Sequence, residues 1–249
     1  MAQDFVGKIK ALLAKAEHPN TSPAEAEAYM ALAAKLMKAK GIEEAHIRET
    51  RGDDPEEITL LVVELSIDHG TVMCEAVSPM IKAMGAEALY NSYTGELTVV
   101  GTRSLLGGIE ILIASVQIQM IGSANKAGDE YEAKLRRQNP HWSYGQVGDA
   151  VDQWVWDYIR GYGGGLAAKI RERVGELADE APGNALVLQT EADRIRNWFR
   201  QQFPNTVPLK GQRIQNADAI RRGARDGRNT DIGDTRVNGG ASGTRRALD

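Results

Sequence analysis

An α+β, predominantly helical chain is predicted by three features of the sequence. Apolar residues recur at helical spacing over most of the length, runs of β-branched residues are confined to one central region, and glycine or proline punctuates the changes of period. The expected organisation is an N-terminal helical hairpin (1–50), a central helix–β-hairpin–helix module (58–189), and a basic C-terminal helical region (190–249) with a flexible tail.

Phe5, Val6, Ile9, Leu12 and Leu13 form one apolar stripe among Lys8, Lys10 and Lys15, a short amphipathic helix ending before Pro19. Ser22 is a suitable N-cap, Pro23 suits the first helical position, and Glu25 completes a capping box. A second helix follows through Tyr29, Met30, Ala33, Leu36 and Met37 to Lys40, where Gly41 and Ile42 give a glycine stop with its apolar contact. The short polar connection makes the two helices antiparallel. Arg51 to Glu57 is acidic and punctuated, and reads as a linker.

In the middle of the chain, Ile58 to Leu65 reads as a strand and Val72 to Met84 as a helix stopped by Gly85. Ala86 to Asn91 and Glu96 to Val100 flank Ser92-Tyr93-Thr94-Gly95, a hairpin loop with glycine where positive φ is needed. Arg103 to Ala124 reads as an apolar helix. Its most membrane-like part, Leu105 to Gly122, contains Glu110, Gln117 and Gln119 and is at the lower limit of spanning length, so it is read as a buried core helix.

Asp129 to Gly148 is polar and contains Asn139-Pro140 and two glycines, which predicts a long mobile loop. Val151, Val155, Tyr158, Tyr162, Leu166, Ile170 and Leu177 form a long helical stripe, broken or pinched at Gly163-Gly164-Gly165. A short helix starts near Thr190, carries Ile195, Trp198 and Phe199, and ends at Pro204; a last one spans roughly Ile214 to Arg228. The glycine-rich stretch from Asn238 buries little, which predicts a flexible tail.

Charge is unevenly distributed. The 56 residues from Arg194 to Asp249 hold 12 Lys and Arg against 5 Asp and Glu, a net of +7, whereas the preceding part holds 18 against 29, a net of −11. A single cysteine, Cys74, excludes an intramolecular disulfide framework and fits a reducing compartment. With no secretory signal at the start, the expected location is cytoplasmic, with no membrane partner.

Familiar chemical motifs are missing. Among the four histidines, His18, His46, His69 and His141, none has a two-histidine helical metal spacing, and none is spaced with Cys74 as zinc ligands usually are. His69 and Cys74 flank one helix start, where capping or packing explains them. Gly161 to Lys169 lacks the preceding strand and the Lys-Ser/Thr that a phosphate loop needs, because backbone N–H groups and the lysine must converge on the phosphates. Close helix packing or a bend explains these glycines better. There is no Gly-x-Ser-x-Gly elbow, and Asp149, Asp152 and Asp157 are read as acidic residues around a helix start. No catalytic residue, metal ligand or cofactor is assigned.

The informative cluster is Arg221, Arg222, Arg225 and Arg228. Positions 221, 225 and 228 share one helical face with Arg222 beside it, and Arg194, Arg196, Arg200, Lys210 and Arg213 precede them with Trp198 and Phe199 interleaved. Arginines so spaced can meet phosphates bidentately, and an exposed aromatic can stack on a base. The competing account makes Trp198 and Phe199 core residues and pairs the arginines with the chain's own acidic body.

The first hairpin resembles the bacterial and phage family called domain of unknown function 2786. The resemblance rests on Lys8-Ile9-Lys10-Ala11-Leu12-Leu13-Ala14-Lys15-Ala16, on Pro23 to Ala28, on Lys35-Leu36-Met37 and on Gly41-Ile42. Leu97 to Gly101, Tyr158 to Tyr162 and the small residues Ala224 and Gly227 resemble its later segments. The resemblance implies a phage or bacterial cytosolic protein and carries no catalytic residues.

The leading expectation is a non-enzymatic accessory protein that binds nucleic acid or an acidic host-protein surface through its basic C-terminal region. The rivals are an enzyme with an unfamiliar site near Arg160 and the aromatic stripe, and a phage assembly or virion component. The oligomeric state is left open.

Overall fold

A computed structural model describes Lys15, Leu32 and residues 55–65, 70–179, 184–209, 211 and 213–230. The expected N-terminal hairpin and glycine-rich tail lie outside the described residues, as do His18, His46, His69 and Lys210. The order is β1 (Ile58–Val63), α1 (Gly70–Ala83), β2 (Glu87–Asn91), β3 (Glu96–Thr102), α2 (Arg103–Gln138), α3 (Tyr144–Asp179), α4 (Asn184–Gln202) and α5 (Ala217–Asn229). The chain is predominantly helical α+β.

The strands form one antiparallel sheet in the order β1-β3-β2, with Val63 opposite Leu97 and Ala88 opposite Val99. Gly95 adopts φ of 76° in the hairpin turn and Gly85 adopts φ of 89° where α1 ends; both are conformations that a Cβ disfavours. The strand period of two sorts side chains between two faces. Leu97, Val99 and Val63 point into the main core with α1, α2 and α3, whereas Ile58 and Val100 meet Ile195 of α4 on the opposite face. That second face is only partly covered, leaving Leu60 48% and Val62 57% exposed.

By length and composition α2 could cross a membrane, yet its apolar residues Leu106, Ile109, Leu112, Ile113, Val116 and Met120 are buried in the main core. Its first turn is held by Glu56, whose carboxylate accepts bonds from the Ser104 backbone N–H (2.9 Å) and hydroxyl (2.7 Å). A negative group there complements the helix dipole.

Three elements depart from the sequence expectation; one is α4, expected as a short helix from about Thr190, which begins at Asn184 so that Thr190 lies inside it. Only residues 139–143 connect α2 to α3, so most of the expected loop at 129–148 is helix. The distal turns of α2 are polar around much of their circumference, supported by the Glu132–Arg136 pair (2.7 Å) and by Tyr131 stacked on Trp154 of α3 at 4.9 Å. Ser143 and Gln146 close a capping box over the first turn of α3: the Ser143 N–H donates to Gln146 Oε1 (2.9 Å) and the Gln146 N–H to Ser143 Oγ (3.3 Å). Similarly, α3 runs unbroken through Gly163-Gly164-Gly165.

The glycines serve close packing. A Cβ on Gly161 or Gly165 would collide with the backbone of Ile220 or Ala224 in α5, and one on Gly163 with the backbone of Ala76 in α1. The contact is reciprocal, since Gly223 and Gly227 lie against the Tyr158 and Tyr162 backbone. With Gly161 beside Ile220 and Gly165 beside Ala224, α5 runs parallel to α3.

These observations separate neighbouring glycines. Gly161→Ala or Gly165→Ala should destabilise the fold by about 1–3 kcal/mol, as overpacking does, or more because the opposing atoms are backbone. A Cβ on Gly164 meets nothing within 4 Å. Gly164→Ala should therefore stabilise by about 0.5–1 kcal/mol through helix propensity. Urea denaturation of the three variants measures the contrast, and equal effects would contradict the packing argument.

Candidate functional site

The orientation of α5 determines what the C-terminal arginines can do. Ala219, Gly223 and Gly227 are buried on the side against α3. The opposite side carries Arg221, Arg225 and Arg228, whose side chains are 71%, 68% and 54% exposed. Arg222 stands at the flank, 30% exposed.

Each of these arginines has a carboxylate neighbour. Arg221 pairs with Asp218, Arg225 with Asp226 (3.2 Å) and Arg228 with Glu172 of α3. Arg222 reaches Glu130 of α2 at 2.6 Å, with its guanidinium 5.9 Å from the centre of the Trp154 ring. The pairs of Arg221 and Arg228 are solvent-exposed on both sides, a class worth about 0–1 kcal/mol each, whereas Asp226, the partner of Arg225, is only 29% exposed. Arg222 is more firmly committed, because ring and carboxylate hold it together.

Arg194, Arg196 and Arg200 stand on a different helix, α4. Arg194 is half-buried, Arg200 is exposed, and Arg196 contacts Asp193 (2.8 Å) and Glu87 of β2 (3.5 Å). Trp198 and Phe199, expected as possible base-stacking groups, are instead half-buried beside Ile195 and packed on Phe203, with ring centroids 6.4 and 5.3 Å away.

Arg160 lies in a different environment. Its Nε donates to Glu75 of α1 and its Nη1 to Asp157 (3.2 Å); Glu75 and Arg160 are each 10% exposed and Asp157 is 0% exposed. Asp157 lies well inside α3 and not at its start. Its Oδ2 accepts the backbone N–H of Gln215 (3.0 Å) and of Asn216 (2.9 Å), so it anchors the chain entering α5. Two carboxylates against one guanidinium leave a negative excess, which the N-terminal end of α5 faces with its positive dipole. Glu75 Oε1 and Arg160 Nη2 are buried without a hydrogen-bond partner.

Further along the same seam, the Tyr158 hydroxyl donates to Asp226 (2.8 Å), and Tyr162 and Thr230 hydroxyls meet at 2.5 Å. Burial, then the hydrogen bond and charge of Asp226, push the Tyr158 phenol well above its usual range. Cys74 is buried and touches the Ser78 hydroxyl at 3.6 Å; burial raises its thiol, partly offset by that contact. Among the described residues, no three His, Cys, Asp or Glu side chains are grouped to hold a metal ion.

Asp157 was hidden by its placement next to an apolar stripe, although a row signal existed. Asp157, Gly161, Gly165 and Lys169 recur every four residues on α3, as do Ala219, Gly223 and Gly227 on α5.

Removing the buried cation should expose the cost of the seam. Arg160→Met leaves two buried carboxylates unpaired, and should cost about 3–5 kcal/mol by denaturant titration. A loss under 1 kcal/mol would mean that the cluster is not buried as described. The raised Tyr158 phenol makes a separate, alkaline prediction. Its contribution is complete below the unfolded value of about 10 and falls as pH rises from there towards the higher folded value. Tyr158→Phe should remove that share of the alkaline destabilisation, measurable as a flatter dependence of stability on pH above 10.

No curated protein and no solved structure matches the chain. Residues 5–44 match the family described as "Protein of unknown function (DUF2786)".

Proposed function

We propose that this chain is a non-enzymatic cytoplasmic accessory protein, of phage or bacterial origin, that binds nucleic acid through the outward face of α5. The observation that carries this reading is the turn of that helix: its glycine side lies against α3, and Arg221, Arg225 and Arg228 project to solvent from the other side. The net of +7 from Arg194 onward supports it, as a long-range positive field that draws polyanions towards this part of the chain. Phosphates can replace exposed carboxylates at little cost, since such pairs are weak in water. Arg194, Arg196 and Arg200 add positive charge from α4. The Glu75–Arg160–Asp157 cluster has a sufficient role in fixing α5, so the reading assigns it no reaction.

Titration with DNA and RNA at several salt concentrations tests the proposal. Affinity should fall with salt, log K declining by about 0.7–0.9 for each phosphate contact per decade. Changing Arg221, Arg225 and Arg228 together to Gln should weaken binding to all sequences alike and flatten that slope, since phosphate contacts position without specifying. Stability should change little. Absence of binding at micromolar protein and low salt would defeat the reading, and a saltable interaction with acidic proteins alone would redirect it to a host-protein surface.

A further inference from the structure

The distal end of the α2–α3 hairpin carries a second patch of different chemistry. From Lys134 to Gly148 the chain contains Lys134, Arg136 and Arg137 and no Asp or Glu. Lys134 and Arg137 are exposed. Tyr144 is 83% exposed, with the Arg136 guanidinium 4.5 Å from its ring centre. One face of that ring is therefore backed by a cation and the other is open to solvent. Trp142 lies two residues away, partly exposed, its backbone N–H bonded to the Asn139 carbonyl at 3.1 Å.

We propose that this tip contacts bases, and that the nucleic acid bound is single-stranded; this rests on the phosphate-binding reading of α5. Helix spacing joins the two surfaces. Glu130, Lys134 and Arg137 lie at i, i+4 and i+7 and share one stripe of α2. Arg222 of α5 bonds to Glu130 at the near end of that stripe, so the cationic tip continues from the arginine helix. Arginines in the last turn of α2 also complement its dipole, which accounts for the cations but not for an exposed tyrosine ring held over one of them. An open aromatic face with cations around it fits unpaired bases, whose rings stack without regard to sequence, whereas a duplex keeps its bases stacked on one another.

The test compares thymidine oligomers with abasic oligomers of the same length and charge, by fluorescence anisotropy at low salt on the full chain. The thymidine strand should bind more tightly, by roughly 5- to 150-fold for each base stacked on an aromatic ring. Trp142→Ala with Tyr144→Ala should remove most of that advantage while leaving abasic binding and the helical circular dichroism unchanged. Lys134→Gln with Arg137→Gln should weaken both ligands alike. Equal binding of the two oligomers by the unaltered chain would overturn the tip proposal and leave the α5 reading standing. An undiminished thymidine preference in the aromatic double variant, or binding of polyglutamate as tight as the thymidine strand, would overturn it as well. Binding to neither oligomer would show instead that the underlying α5 reading had failed.

Discussion

The backbone contact between α3 and α5 sets the arrangement of the C-terminal half. Helices usually meet through interdigitated side chains at 8–10 Å between axes. Here Gly161 and Gly165 face Ile220 and Ala224, while Gly223 and Gly227 face Tyr158 and Tyr162, leaving no room for a Cβ on either side. Such a contact buries few large apolar groups, so polar locks define its position. Asp157 holds the entry to α5, Tyr158 bonds to Asp226 in its last turn, and Tyr162 meets Thr230 just past its end. The three locks climb the same seam, which fixes both register and direction.

The same contact fixes the rotation of α5 about its axis. With Ala219, Gly223 and Gly227 inward, a period of 3.6 residues carries 221, 225 and 228 outward. The arginine face is thus a consequence of the glycine row, and widening the seam would disturb both. Gly163 belongs to another contact, against Ala76 of α1, so α3 is gripped on two sides by glycines two residues apart. An unbroken helix can serve both because successive pairs of positions point in different directions.

Much of this was legible in the sequence, and the failures have physical causes. The β-hairpin with Gly95, the core placement of Leu105 to Gly122 and the arginine face all follow from local period or turn chemistry. Polarity, Asn139-Pro140 and two glycines make 129–148 imitate a loop, whereas α2 and α3 support each other through Tyr131 and Trp154. That contact joins residues far apart in sequence, which periodicity does not register. Gly163-Gly164-Gly165 suggested a break because glycine is costly in an isolated helix; tertiary packing reverses that preference at Gly163 and Gly165 and leaves it at Gly164. The role of Asp157 depends on Gln215 and Asn216 arriving beside it, so composition pointed only to an acidic residue near a helix start.

The ion pairs along α5 bear on how its arginines can be used. A carboxylate beside every arginine looks like neutralisation, but the pairs differ in kind. Arg222 is 30% exposed, lies near an aromatic ring and bonds to Glu130, so releasing it would forfeit packing as well as charge. Arg221 and Arg225 reach only neighbours on their own helix, Asp218 and Asp226, where water screens the attraction. Asp226 is also occupied by the Tyr158 hydroxyl, which ties that carboxylate to the seam and leaves Arg225 the freer partner. Arg225 is therefore held loosely in place by an acid that the fold needs for another purpose. A phosphate approaching from solvent would compete with exposed carboxylates at Arg221 and Arg228, and at Arg225 with an Asp226 that stays bonded to Tyr158, so the geometry of α5 would survive the exchange.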